Sequence, residues 1–518
     1  MNIECPNCHT KYRLKKVPSN RVTATCKKCG EKFHFDPLDV SMLIKPQQEE
    51  KVKSVEKTLQ MDKQKGVGMT MVLTALIIGV AAVGILQFNK KPFSEKKVAE
   101  KTIDYNIDYK INYWDAPIPE TITINEIEYT VIDDNLKWFS VLYRDQNFDA
   151  VEKHIFNLLT EKNEINSYKL QTLYIVLSKI PDENDIDRMK TVLDEWCDKH
   201  PNSHIPWLVR GSFYIKLAWR IRGGGVAKTV KNSAWPKFRE KLRLAETDLE
   251  KSYELYRNDA NSSTLLIEVG IGLKFPREKI EQYYQNGLSA CPFHFGLHLE
   301  KLRYLKPKWY GSKKEMFDFA EHCLAQSKQY PYLGLVMVDA LFETHNFISK
   351  EKNFLGRGDI WPRVENIYAA FFAKYPDNIR RHFYYAYHAQ IANKHDIAFE
   401  QFEIIGDRWM ENTCWDSIKY FNNGRALAYI NKGNEFLLKK RLYEISIGYF
   451  EKAVKCNPND YALYRLGQAY MYSGLTTRNS AYLQKAETTL QKAIDLKGPN
   501  EKYAKDELKK LRKYTRQA

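Results

Sequence analysis

One spacing recurs along the last three quarters of the chain and constrains it more than any other feature. An apolar or small residue at position x, others at x+4 and x+7, and a proline at x+12 occur at Met189/Leu193/Trp196/Pro201, Ile280/Tyr284/Gly287/Pro292, Val364/Tyr368/Phe371/Pro376 and Ser446/Phe450/Ala453/Pro458. The first three positions share one face of an α-helix. Proline lacks an N–H and clashes with the preceding turn, so it ends that helix before the next begins. Looser copies at Ala245/Leu249/Ser252, Ala398/Phe402/Ile405 and Ala486/Leu490/Ala493 lack the proline. Partner-helix patterns stand at Trp207, Gly211 and Tyr214, and at Leu463, Leu466, Gly467 and Tyr470. A generic helical bundle supplies the same face, but the proline stops and partner helices favour repeated pairs. Such pairs bury their faces only by stacking, which predicts a mainly α, curved solenoid with a concave surface from about residue 135. The run KDELKKLRKY within residues 503–514 reads as a polar capping helix.

The figure resembles the second helix of a tetratricopeptide repeat, and residues 379–412 fit one ungapped copy of that repeat. Two inserts interrupt the repeats, at residues 219–225 (WRIRGGG) and 307–312 (PKWYGS). With Asp194-Glu195-Trp196, His200-Pro201-Asn202-Ser203 and Arg210-Gly211, they resemble domain-of-unknown-function family 4034 over about residues 135–400. That resemblance implies an architecture and no chemistry. Residues 401–518 are expected to add further tetratricopeptide-like repeats and the cap.

The N-terminus is built differently. Cys5-Pro6-Asn7-Cys8 and Cys26-Lys27-Lys28-Cys29-Gly30 are two CxxC pairs separated by seventeen residues. Each such turn aims two sulfurs at one centre, and four thiolates satisfy tetrahedral Zn²⁺ with no open position. A segment this short buries little core, so metal binding worth on the order of 10 kcal/mol is needed to hold it. A thioredoxin-type redox pair needs one CxxC beside a βαβ pattern, which is missing here. His9 and His34 lie nearby as substitute ligands, but four cysteines already complete the set. Thr10, Tyr12 and Phe33 around the cysteines complete a resemblance to the short N-terminal zinc-ribbon family that carries a zinc-finger or thioredoxin label. Membership implies a bound zinc and a small adaptor over residues 1–36, commonly ahead of a membrane span in bacterial proteins.

Residues 66–88 (GVGMTMVLTALIIGVAAVGILQF) hold no charge, and Lys63, Lys65, Lys90 and Lys91 bracket them. At ~1.5 Å rise these residues cross a ~30 Å hydrocarbon layer, so a single transmembrane helix is expected, flanked by a linker at 37–65. A mean hydropathy of −0.53 excludes a polytopic membrane protein. Five lysines stand within about twenty positions on either side, so the positive-inside rule does not choose an orientation. A four-thiolate site is safest in a reducing compartment, which places the N-terminus in the cytoplasm and the body outside the inner membrane. Between span and body, in the linker 89–134, Thr121–Ile124 and residues 127–132 alternate about Asn125-Glu126 and predict one β-hairpin.

Inserts in loops that join the first to the second helix of a pair leave the same edge of a solenoid. Arg222, Gly223, Gly224, Lys308, Trp309 and Arg357 therefore make a candidate rim for a protein, peptide or anionic ligand. The simpler alternative is that these loops pack on each other and the glycines permit tight turns. A hydrolase or transferase site on the same rim is the rival enzymatic expectation. Residues 223–229 (GGGVAKT) lack the glycine before lysine and the strand that a P-loop needs. No zincin, nucleophile-elbow or dinucleotide fingerprint occurs, and His294, His298, His382 and His388 are expected to be structural. Residues 1–65 carry fourteen Lys/Arg against eight Asp/Glu, but no recognition helix or stacking array, so no nucleic acid is expected. The expectation is a membrane-anchored, non-enzymatic interaction scaffold, with a zinc ribbon on one side and a protein-binding repeat surface on the other.

Overall fold

The computed structural model describes residues 2–4, 11–13, 22–25, 29, 32–35, 120–132, 135–411 and 413–517. They fall into two compact units, residues 1–106 and 107–518. In the first, β1 (Asn2–Glu4) pairs antiparallel with β2 (Lys11–Arg13), and β3 (Val22–Thr25) with β4 (Lys32–Phe35). The predicted span at 66–88 and its flanking linker lie outside the described residues, and among the described residues no helix is long and apolar enough to cross a membrane.

The second unit opens with the expected hairpin, β5 (Thr121–Ile124) and β6 (Ile127–Val131). Asn125 and Glu126 both take positive φ, +50° and +63°, the tight two-residue turn whose twist matches the strands. Among the described residues nineteen α-helices follow, and the first eighteen, taken two by two in chain order, pack on each other except Glu164–Leu177 and Ile186–Lys199, the latter of which packs on His204–Arg222. The pairs are α1 (Leu136–Tyr143) with α2 (Phe148–Thr160), α3 (Glu164–Leu177) with α4 (Ile186–Lys199), and α5 (His204–Arg222) with α6 (Ala234–Leu255). Next come α7 (Ala260–Leu273) with α8 (Arg277–Ala290), α9 (Phe295–Leu305) with α10 (Lys313–Ala325), and α11 (Pro331–Glu343) with α12 (Trp361–Lys374). The series ends with α13 (Ile379–Ile391) and α14 (His395–Ile405), α15 (Ile418–Asn434) and α16 (Tyr443–Cys456), α17 (Asp460–Thr477) and α18 (Ser480–Asp495), and the cap α19 (Glu501–Gln517).

The recurring figure falls on even-numbered helices throughout. Met189, Leu193, Trp196, Val364, Phe371, Phe450 and Ala453 are fully buried, as are Ala245, Leu249, Phe402 and Leu490 of the looser copies. Pro201, Pro292, Pro376 and Pro458 each stand two residues beyond the last residue of their helix. A cap for the next helix follows at once: Ser203, His294, Asn378 and Asn459 each accept a backbone N–H of the new first turn. The linker between pairs is thus a stop and a start in three or four residues. In two of the pairs a glycine meets the x+4 leucine. A Cβ on Gly211 would lie 2.7 Å from Leu249 Cγ, and one on Gly467 would lie 2.7 Å from Leu490 Cγ.

The apolar interior has two parts, one built from residues 136–305 and one from residues 295–511. The hairpin joins the second, through Ile122, Ile124, Ile127 and Tyr129. There β6 adds a parallel neighbour, β7 (Arg408–Trp409), and the Tyr129 hydroxyl donates to Asn422 Oδ1 at 2.6 Å. A second long-range tie starts at the buried Glu164 of α3. It accepts from the Tyr332 backbone at 3.0 Å and the Tyr375 hydroxyl at 2.7 Å, so α3 is bonded to the start of α11 and the residue after α12. Burial pushes the Glu164 carboxyl above the ordinary range, against the pull of those donors.

If close approach at the glycines sets the pair spacing, Gly211→Val and Gly467→Val each overpack the interface. Each is expected to cost about 1–3 kcal/mol in urea unfolding, whereas Gly448→Ala, with open space around the added carbon, should not destabilise.

Candidate functional site

The two CxxC segments occupy equivalent places. In the sequence Cys5 follows the last residue of β1 and Cys26 the last residue of β3. Cys29 is an exposed turn residue, while Cys5, Cys8 and Cys26 lie outside the described residues. His34 sits in β4 opposite Thr23, away from the loop. Among the described residues no group of three or more His, Cys, Asp or Glu is placed to hold a metal. By its donor chemistry a set of four cysteines in two CxxC segments suits a closed four-sulfur zinc site, which would contribute folding energy and leave no position for chemistry.

Five of the six rim residues lie between the helices of a pair, whereas the sixth, Arg222, expected in the same loop, is the last residue of α5 because the helix runs on to its cap at Gly223. Their side chains are already engaged. Arg222 Nη1 donates to the carbonyls of Gly223 and Gly225 at 2.9 and 3.0 Å, and its guanidinium lies over Trp219 and Trp235. Gly223, at φ +77°, ends α5, and Gly224 is exposed with open space around it. Trp309 packs edge to face on Trp219 at 5.9 Å, and Arg303 stacks on both rings while bonding Glu268 and Glu300 at 2.8 and 3.2 Å. Lys308 pairs with Glu343 at 2.8 Å. Arg357 is held by Asp359 and Glu351 in its own loop. Arg222 and Trp309 thus meet through Trp219, whereas Lys308 and Arg357 belong to separate ion pairs.

A different place collects unspent chemistry. Odd-numbered helices α3, α9, α11 and α13 converge on a cleft of about 290 Å³. Tyr168, Phe295, Leu335, Phe342 and Tyr384 give it an apolar, aromatic lining, and Asp339, Arg380 and Arg381 are its charged groups. Asp339 is bonded to Lys306 at 3.0 Å. None of the six rim residues reaches it. Nothing in the helical periodicity marks these residues, which come from helices more than two hundred positions apart. The one available signal is three consecutive polar aromatic-rich turns in α13, whose sequence IRRHFYYAYHAQI puts Arg381 and Tyr384 on one face.

The four histidines act as pins. His298 Nε2 meets the Pro292 carbonyl at 2.8 Å and His382 Nε2 the Pro376 carbonyl at 3.1 Å, six residues back in each case. Each ties the start of an odd-numbered helix to the stop of the one before. His294 bonds Asn261 at 3.1 Å, and His388 bonds the Tyr368 hydroxyl at 3.0 Å. Burial lowers His294, His298 and His388 to about 4, so these three are neutral near pH 7.

Beside the cleft, past the shared Ile175, a second hollow is lined by Lys179, Lys216 and Arg220. Lys179 pairs with Glu411 at 2.6 Å, and Lys216 donates to the Ile175 carbonyl at 2.5 Å. Desolvation brings Lys216 down to about 7, with Glu268 opposing and Lys179 reinforcing the fall.

A family model described as a zinc-ribbon domain matches residues 1–34. No curated protein matches the chain. Among the solved structures that match is yeast Tom70, 12% identical, with 73% of this chain and 95% of that one aligned at a TM-score of 0.23.

The position of Lys216 has a pH consequence. Its folded value lies below the unfolded one of about 10.4, so between the two the unfolded chain holds more protons and stability rises with pH. Lys216→Met removes that contribution. The stability of the unmodified protein relative to Lys216→Met is expected to increase from pH 7 to pH 10 in chemical unfolding, and a pH-independent difference would contradict the buried setting of the amine.

Proposed function

We propose that this protein is a membrane-anchored interaction scaffold. Its zinc ribbon would bind metal through Cys5, Cys8, Cys26 and Cys29 and serve as a cytoplasmic adaptor. One helix over residues 66–88 would cross the inner membrane, and the helical-repeat body outside it would hold a protein or peptide. The observation that carries the binding assignment is the cleft where α3, α9, α11 and α13 meet, apolar and aromatic, with Asp339, Arg380 and Arg381 in its lining. That composition suits an inserted side chain or chain end more than a flat contact. The resemblance of residues 135–400 to an uncharacterised family agrees in architecture and adds no activity.

The enzymatic alternative on the insert rim needs Arg222, Lys308 and Trp309 to converge with a carboxylate or histidine in one pocket. Lys308 meets Glu343, but Trp309 packs into a tryptophan pair and Arg222 bonds its own glycine loop. Ion pairing and ring packing account for those contacts, and binding on the cleft is favoured over chemistry on the rim.

Two measurements test the two halves. Metal analysis of the purified full chain should find about one zinc per chain, with Cys8→Ser and Cys26→Ser each abolishing stoichiometric binding; retention in both variants would exclude the four-thiolate site. A photo-crosslinking residue at Leu299, in the cleft, should capture polypeptide in native membranes, whereas one at exposed Glu240 should not. Equal capture at both positions would remove the cleft as the binding surface. Reporter fusions at both termini decide the orientation.

A further inference from the structure

We infer that the cleft is a carboxylate-binding site, in which Arg381 takes the acid and the surrounding rings take an apolar group beside it. This rests on the cleft being the ligand surface of the body, and it names what the ligand must carry.

Arg381 is 5% exposed, and its guanidinium lies among four rings, one from each converging helix. The distances are 4.7 Å to Tyr168 of α3, 4.8 Å to Phe295 of α9, 5.3 Å to Tyr332 of α11 and 5.2 Å to Tyr384 of α13. Its Nε and Nη2 have no hydrogen-bond partner, and no carboxylate lies within ion-pair distance among the described residues.

Four other buried or half-buried arginines of the body each have a carboxylate at ion-pair distance. Arg210 is matched by Asp248, Arg303 by Glu268, Arg363 by Glu321 and Arg425 by Asp407. The geometry of two pairs is instructive. Arg210 holds Asp248, and Arg357 holds Asp359, through Nε and Nη2 together, one carboxylate oxygen on each nitrogen. That edge of the guanidinium fork is the one left unmatched in Arg381. Ring faces attract the cation, but they do not accept in-plane N–H groups as a carboxylate does. A desolvated guanidinium without an anion costs several kcal/mol, so the site favours any ligand that brings one.

The rest of the cleft narrows the class. About 290 Å³ lies at the small end of ligand pockets, room for one side chain or a short aryl or acyl body. Leu299, Leu335, Val338 and Phe342 offer that body an apolar wall. Asp339, the one acidic side chain of the lining, disfavours a second negative charge. The half-buried Tyr168 and Tyr384 line the cleft beside Arg381, whose Nε and Nη2 are closed off from solvent, so binding requires these two rings to move aside. The ligand is therefore a monocarboxylate next to an apolar group, supplied either by the last residue of a polypeptide or by a free small acid.

Full-length protein in nanodiscs is titrated with fluorescein-labelled pentapeptides ending in Phe or Leu, with their C-terminal amides, and with phenylacetate as competitor. The acid peptides should bind at least tenfold more tightly than the amides. Arg381→Lys should lose at least tenfold, and Arg381→Met should abolish the difference between acid and amide while leaving Tm unchanged or raised. Leu299→Trp, which fills the cleft and keeps the arginine, should block binding as well. Direct binding of phenylacetate in isothermal titration calorimetry, lost in Arg381→Met and without any peptide binding, would keep the carboxylate site and refute the peptide scaffold. Peptide binding indifferent to amidation and to Arg381→Met would keep the scaffold and refute the carboxylate site. No acid bound by the unmodified protein, a cleft that holds solvent only, would overturn the inference.

Discussion

Each helix pair in the body depends on the next one, because an even-numbered helix has its x, x+4 and x+7 face covered only when odd-numbered helices stack on it. Trp196, Phe371, Phe402, Phe450 and Leu490 are buried in this way, not by their own hairpin alone. The glycines opposite the x+4 leucines bring the backbones of a pair together, and the proline-to-cap linkers keep successive pairs in register. A stack held by nearest neighbours has no intrinsic closure. Closure comes from ties of very long sequence separation, among them Glu164 to Tyr332 and Tyr375, Lys179 to Glu411, and the β5–β6 hairpin to β7 and Asn422.

Local physics made much of this legible in advance. Periodicity with a proline stop identified even-numbered helices down to the buried residues, since both causes act within one turn. The hairpin followed from alternation around Asn125-Glu126, where a two-residue turn leaves little freedom. The long-range role of that hairpin was not legible. Tyr129 and Ile127 look like any strand residues, and their partners stand some three hundred positions away. The zinc-ribbon match over residues 1–34 was legible from the two CxxC pairs because the spacing of ligands in a ribbon is itself local.

The site is where local reasoning fell short, for a physical reason. Loops rich in Arg, Lys, Trp and Gly drew notice because those residue types bind ligands when exposed and unpaired. In the fold they find each other: Lys308 meets Glu343, Arg357 meets Asp359, and Trp309 meets Trp219. Arg381 sits inside a helix between aromatic residues and reads as a packing position. What distinguishes it is an absence among its neighbours, and neighbours drawn from α3, α9 and α11 are set by the path of the superhelix.

Closure and site therefore share a cause. The Glu164 tie holds the start of α3 against α11, and α3 supplies Tyr168, one turn further along, to the ring cage around Arg381. Releasing that carboxylate would loosen a wall of the cleft without touching any lining residue. The hairpin, anchored on α15 through Tyr129 and Asn422, steadies the far side of the same unit, beside the loop that brings Cys414 to the lining. A stacked array is compliant along its length because each pair contacts only its neighbours. A cleft spanning non-consecutive pairs keeps its shape only while these ties hold, which makes ligand affinity and closure two readouts of one set of contacts.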